Sequence, residues 1–199
     1  MQRPALTTLG FVAFASAFSA APAWADWNLD PARSHLAFIS IKGKDVAEIH
    51  TFKDIAGTIA PDGQAKVVLM LDSVETLIPI RDERMREFLF DTADYKEAVL
   101  TAKIDPERIK SMAVGEIAEI TAEGILALHG QTQPMVLVVQ AAKVSANTVM
   151  VASVKPLVID AAKFGMSDGV EKLRELAGLA AISNAVPVNF VLTFVDGGI

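Results

Sequence analysis

The chain contains no cysteine. That absence removes disulfides, thiolate catalysis, Cys-ligated zinc and a lipid-modified N-terminal cysteine. Stability must therefore come from the core alone. Histidine is scarce as well. His35, His50 and His129 are the only three, and none stands at metal-ligand spacing from another. No P-loop, G-x-G-x-x-G or G-x-S-x-G element is present. Basic residues are in the minority, with 18 Lys and Arg against 24 Asp and Glu. An acidic balance argues against nucleic acid and against docking on anionic lipid heads. Long apolar runs are missing too, apart from one at the start.

That run, Ala5 to Ala21, follows Arg3 and precedes Pro22 and the small-residue pattern Ala23-Trp24-Ala25. The layout predicts a secretory leader over 1–25, cut after Ala25. It is shorter than the roughly 20 residues of a spanning helix. Cutting would remove 25 of 199 residues and leave 174, starting at Asp26. Loss of Arg3, the only charge removed, takes the formal charge from −6 to −7. The expected product is soluble, exported and periplasmic, with residues 26–199 forming one domain and no membrane anchor left.

Strand-length apolar runs separated by turns dominate the remainder. They cover Leu36 to Ile41, Phe52 to Ile59, Ala65 to Leu71, Val99 to Ile104, Ile120 to Leu128, Met135 to Val144, Thr148 to Ile159 and Val186 to Phe194. About eight strands with short connections predict an all-β fold, an antiparallel sheet closed on itself. In the last strand Val186, Val188, Phe190, Leu192 and Phe194 share one face, with Asn189 and Thr193 on the other. Other strands are apolar on both faces, as Val67/Leu69/Leu71 and Val68/Met70 show. Such strands need dry cover outside, from a helix or from a second copy in a homodimer. Two short helices are expected. One runs from Ile80 to Leu89 with Pro79 at its start. The other runs from Gly169 to Ala177, capped by Asp168 with Glu171 in a capping box and ended by Gly178.

No catalytic residue and no metal ligand is assigned. Ser34 and His35 are adjacent, but neighbours on a strand point to opposite faces. The Arg81-Asp82-Glu83-Arg84 run reads first as a solvated helix face, with a polar rim over a cavity as its functional alternative. A barrel of about eight strands is either just filled by its own side chains or holds one small ligand. Pattern alone leaves both open.

The motifs add a resemblance. Trp27-x-Leu29-Asp30-Pro31-Ala32-x-Ser34 opens the series, and Leu36-x-Phe38 follows. Next come Phe52-Lys53-Asp54-Ile55-Ala56-Gly57-Thr58-Ile59, then Leu71-Asp72-Ser73-Val74-x-Thr76 with Arg81-Asp82, Met85-Arg86 and Phe88-Leu89-Phe90. Leu126-x-Leu128-His129-Gly130-x-Thr132-x-Pro134 and Ile159-Asp160 through Phe164-Gly165-Met166 complete it. In this order they resemble the YceI family of polyisoprenoid-binding, lipocalin-like periplasmic proteins, from Trp27 to Phe194. Three departures bear on the ligand and the pocket mouth. Ala161-Ala162-Lys163 replaces the family's R-S-D, Lys42 stands where many members carry histidine, and Asp168 to Val186 is longer than in the shortest members.

The resemblance implies a lipocalin-like barrel holding an isoprenoid, a quinone tail or a fatty chain, with no other cofactor and no enzymatic role. From the motifs and helix faces, the expected lining residues are Leu36, Phe38, Phe52, Ile55, Met85, Phe88, Phe90, Leu126, Leu128, Phe164 and Met166. Two rival readings remain. One is an enzyme acting on an apolar substrate with His35, His50 or His129 as base. The other is a dimeric interaction module.

Overall fold

The computed structural model describes residues 27–197. The expected leader over 1–25, its cut site and Asp26 lie outside the described residues. The strands are β1 (Trp27–Leu29), β2 (His35–Lys42), β3 (Val46–Phe52), β4 (Ile55–Ile59), β5 (Gln64–Met70), β6 (Val74–Glu75) and β7 (Glu97–Lys103). They continue as β8 (Ile117–Leu128), β9 (Gln131–Ser145), β10 (Thr148–Ser153), β11 (Leu157–Asp160) and β12 (Ala185–Asp196). Three helices accompany them: α1 (Pro79–Arg84), α2 (Pro106–Lys110) and α3 (Ser167–Leu176).

Every strand pairing is antiparallel. The order β1-β4-β5-β7-β8-β9-β10-β12 closes on itself because β1 pairs with both β4 and β12. The fold is thus an eight-strand antiparallel barrel, as the strand pattern predicts. β12 holds it together. One of its edges pairs with β11 and then β10, the other with β2 and then β1. β3 and β6 extend the wall beyond β2.

Local chemistry sets the turns. The β8–β9 hairpin turns through His129 and Gly130, both at positive φ (49° and 71°), the backbone a tight two-residue hairpin requires. The predicted strand Phe52–Ile59 is instead two strands meeting at a corner. The Lys53 and Asp54 amides leave the ladder and donate to Ser73 O and Ser73 Oγ, at 3.1 and 3.0 Å. Thr148–Ile159 likewise divides at Val154 to Pro156, because proline cannot donate to a ladder.

The predicted Ile80–Leu89 helix is also two pieces. α1 passes into a wider π-helical turn, Met85–Phe90, which ends at Asp91 with φ 47°. α3 begins two residues earlier than expected, and Asp168 is not its cap. Met166 precedes the helix without a side-chain cap, and Asp168 lies in the first turn, where its charge opposes the helix dipole. Gly178, at φ 63°, follows the helix as predicted. β3, β1 and α2 were not anticipated. α2 is capped by Asp105, whose carboxylate accepts from the Glu107 amide at 3.0 Å.

The two ends of the barrel differ. At one end Ile109 and Met112 from α2 and its exit pack against Ala118, Ala141 and Val149 and plug the interior. Above them Leu29, Ile55, Ile59, Leu192 and Phe194 fill the cross-section. At the other end the π turn, α3 and the turn at Ala161–Phe164 lie over the opening, contributing Phe90, Met166 and Val170 to one apolar cluster with Phe38 and Leu71.

Candidate functional site

Between plug and cover the barrel is hollow. The chamber is a cavity of about 170 Å³, many times the roughly 10–15 Å³ that one water needs on the same measure. Every side chain on its wall is apolar. The wall follows from strand periodicity. Val67 and Leu69 of β5 face inward, as do Ala98 and Leu100 of β7 and Val186, Val188, Phe190 and Leu192 of β12.

Of the residues expected to line it, Leu36, Phe38, Phe52, Phe90, Leu126, Leu128 and Met166 stand on the wall. Four do not. Ile55 packs lower down with Leu29 and Ile59. Phe164 is buried in the packing over the opening. Phe88 is turned aside by the π turn, half-buried with the Lys172 ammonium 5.8 Å from its ring centroid. Met85 faces a second space. The inward residues of β5, β7, β11 and β12 were missing from the expected set, although the alternation of β12 already marked its inner face.

The second space, about 240 Å³, shares Phe38, Leu89, Val170 and Val186 with the chamber. Its wall is mixed: Ile78, Ile80, Met85, Leu173 and Ile182 stand beside Ser40, Lys42, Glu48, His50, Arg81 and Arg84. It forms because β3 turns Glu48 and His50 inward and leaves Ile49, 72 % exposed, outside. Glu48 joins two cations, Lys42 Nζ at 2.8 Å and Arg81 Nη1 at 2.6 Å. The Lys42 hydrogen bond and then the Arg81 charge hold its carboxyl below the ordinary range. Arg81 also donates from Nη2 to Thr76 O at 2.6 Å. Asp82 accepts from the Thr76 amide at 2.8 Å and from its hydroxyl, which fixes the start of α1. The solvated-face reading of this run therefore holds for Glu83, which is exposed, and fails for Arg81 and Arg84, which line the recess.

The histidines are dispersed. His35 is exposed at the start of β2, and His129 sits in the hairpin turn with its ring 4.4 Å from Tyr95. His50 is 3 % exposed, its Nε2 2.8 Å from Ser40 Oγ and its ring 5.2 Å from Phe38. Burial, reinforced by Arg81, pushes its imidazole below the ordinary value, so it is uncharged at neutral pH. Ser40 and His50 resemble a nucleophile and base, yet no carboxylate holds Nδ1, the third member such a pair uses. Among the described residues no group of three His, Asp or Glu is placed to hold a metal. Also among the described residues, no helix is long and apolar enough to cross a membrane.

One backbone contact fixes the cover. A Cβ at Gly169 would lie 2.4 Å from Phe88 O and 2.9 Å from Leu89 Cα, so α3 abuts the π turn only because residue 169 has no side chain. Gly169→Ala is expected to destabilise. The helix preference for alanine returns about 1 kcal/mol, but overpacking against backbone costs about 1–3 kcal/mol. The net loss should lower the melting temperature by a few degrees, about 2–4 °C per kcal/mol at this size. An unchanged or raised value would mean that α3 does not rest on this turn.

The comparisons agree with the motifs. The family profile of the YceI-like domain matches residues 27–194. A polyisoprenoid-binding domain from Saccharophagus degradans, implicated in plant cell wall breakdown, is 38 % identical, with a TM-score of 0.84 over 87 % of this chain and 99 % of that one. BcnA of Burkholderia cenocepacia shares the fold at 18 % identity and a TM-score of 0.65, covering 83 % and 98 %. A Campylobacter jejuni YceI protein does so at 17 % and 0.53, covering 72 % and 82 %. A comparison with curated protein sequences gives no match. With all of the described barrel but the last two residues of β12 inside the matched range, this chain belongs to the family of YceI-like domain proteins.

Proposed function

We propose that this protein is a periplasmic, non-enzymatic carrier of a long apolar lipid, a polyisoprenoid or the tail of an isoprenoid quinone, held in the barrel. The observation that carries this reading is the chamber: a cavity of about 170 Å³ walled by apolar side chains alone. Each CH₂ moved there from water contributes roughly 0.8 kcal/mol. A polyisoprenoid would bind by length and shape, without a polar contact along its tail. The relative that binds a polyisoprenoid supports the ligand class. The leader pattern before Asp26 supports export.

The test is to express the full chain in a bacterial host, purify it from the periplasmic fraction, and record intact mass before and after solvent extraction. We expect a chain beginning at Asp26 that releases about one isoprenoid lipid per protein. An uncut cytoplasmic chain would overturn the export reading. Protein that carries no lipid, and takes up no polyisoprenoid after extraction, would overturn the carrier reading.

A further inference from the structure

The carrier reading says what the barrel holds but not where cargo crosses between membrane and chamber. Leu77, Ile78, Pro79 and Ile80 follow one another in the chain, and all four are exposed, Leu77 at 84 %. A run of four exposed apolar residues is a fault in a water-facing surface unless it has a use. Along the outer face of β8, by contrast, exposed Ile117 and Ile125 are spaced by Glu119, Thr121 and Glu123. We propose that residues 77–80, with residues 176–182 beside them, form an apolar rim that docks the barrel mouth on a zwitterionic phospholipid bilayer. The assignment goes beyond the carrier reading and does not depend on it, since docking concerns the outer surface and cargo the interior.

The first segment is held outward. Leu77 has φ 63°, a left-handed conformation that a leucine keeps only where its surroundings impose it. Thr76 fixes one side. It is 4 % exposed, its amide and hydroxyl both donate to Asp82, and its carbonyl accepts from Arg81 Nη2 at 2.6 Å. Ile78 fixes the other side, its carbonyl accepting from the Arg81 and Asp82 amides at 2.9 and 3.1 Å. The chain is thus bent so that the Leu77 side chain meets water, although Val74 and Thr76 close by are buried.

The second segment borders the same opening. Ala177, Leu179 and Ile182 line the recess together with Ile78 and Ile80, and the recess meets the chamber at Phe38 and Val170. Arg84 ties the two segments, donating from Nη1 to Leu176 O at 3.4 Å. Charge and size select the partner. Neither segment contains a charged residue, and the exposed charges that adjoin them in the chain are acidic, Glu83 after the first and Glu175 before the second. Anionic heads would be repelled, whereas a zwitterionic surface accepts apolar side chains without that cost. A stable protein interface takes about 20–30 residues a side, and the segments offer only four and seven.

Flotation of the purified protein with phosphatidylcholine vesicles, without added isoprenoid, tests the rim. Wild type is to be compared with Leu77→Asn, Ile80→Gln and Ile117→Asn. Asparagine tolerates left-handed backbone, so Leu77→Asn keeps the bend and removes the apolar side chain. Ile80, 52 % exposed, gives a second rim variant, and glutamine suits its place in α1. Ile117, 61 % exposed beside Ala118 at the plugged end, is the control. We expect wild type to float with the vesicles and Leu77→Asn to partition about tenfold less, the share of one leucine entering an apolar phase. Ile80→Gln should lose severalfold, and Ile117→Asn should match wild type. Raising salt to about 0.5 M should change wild-type partition less than about twofold, because no charge takes part. Matching melting temperatures report intact barrels. Wild type that stays off the vesicles would overturn the docking, while the lipid content of the same protein still decides the carrier reading. Rim variants that float like wild type, or a control that falls with them, would overturn the choice of surface. Binding that needs anionic lipid and disappears in salt would overturn the apolar mechanism. Wild type that self-associates instead of floating, and becomes monomeric in Leu77→Asn, would assign the rim to a second copy of the chain.

Discussion

Leu100→Trp combined with Val188→Phe is expected to abolish isoprenoid binding while the barrel stays folded. The two residues line the chamber from β7 and β12, which stand opposite each other in the eight-strand ring. Both are only partly buried, because each borders the empty interior. Added ring atoms would enter space that a tail otherwise occupies. Excluding even five CH₂ groups removes roughly 4 kcal/mol of burial, close to a thousandfold in affinity at 1.4 kcal/mol per decade. In a filled core the same substitutions would overpack and cost about 1–3 kcal/mol each. Melting temperature and lipid content measured together separate the cases. Normal lipid content in a stable double variant would show that the tail lies elsewhere.

The second large effect is on stability, and it depends on whether the chamber is occupied. Leu71 is 1 % exposed and lines the chamber below the π turn. Leu71→Ala should cost about 2–5 kcal/mol in delipidated protein, through lost burial and the void left behind. Val149, also 1 % exposed, packs against Met112 at the plugged end, and Val149→Ala should cost about 2 kcal/mol. A bound tail can fill the space vacated by Leu71 but cannot reach that vacated by Val149. Denaturant titrations with and without isoprenoid should therefore show the Leu71→Ala deficit shrinking on loading while the Val149→Ala deficit stays constant. Equal behaviour of the two would contradict contact between ligand and the wall at Leu71.

Much of the architecture is legible in the sequence. Turn residues and period-two alternation predict a closed antiparallel barrel, and the ordered motifs point to the family to which the chain belongs. What stayed hidden has identifiable causes. β3 escaped notice because Glu48 and His50 point inward and Ile49 outward, the reverse of a strand that faces a greasy core. An α-helical spacing of 3.6 places Phe88 among the lining residues, and the π turn rotates it away. Ile55 shows the remaining difficulty. Alternation tells which face of the sheet a side chain occupies but not how far along the axis it lies, and depth decides between packing and lining. The recess was hinted at only by the Arg81 to Arg84 run, since its two walls, β3 and α1, meet only after folding.

The pairing of β12 with four other strands bears on when a container first exists. Both of its edges are needed: without it β1 and β10 are not joined, and β2 and β11 have no neighbour on that side. These contacts bridge distant parts of the chain, so the entropy of closing large loops delays them. A nascent polypeptide that ends before Ala185 has nothing to enclose a guest.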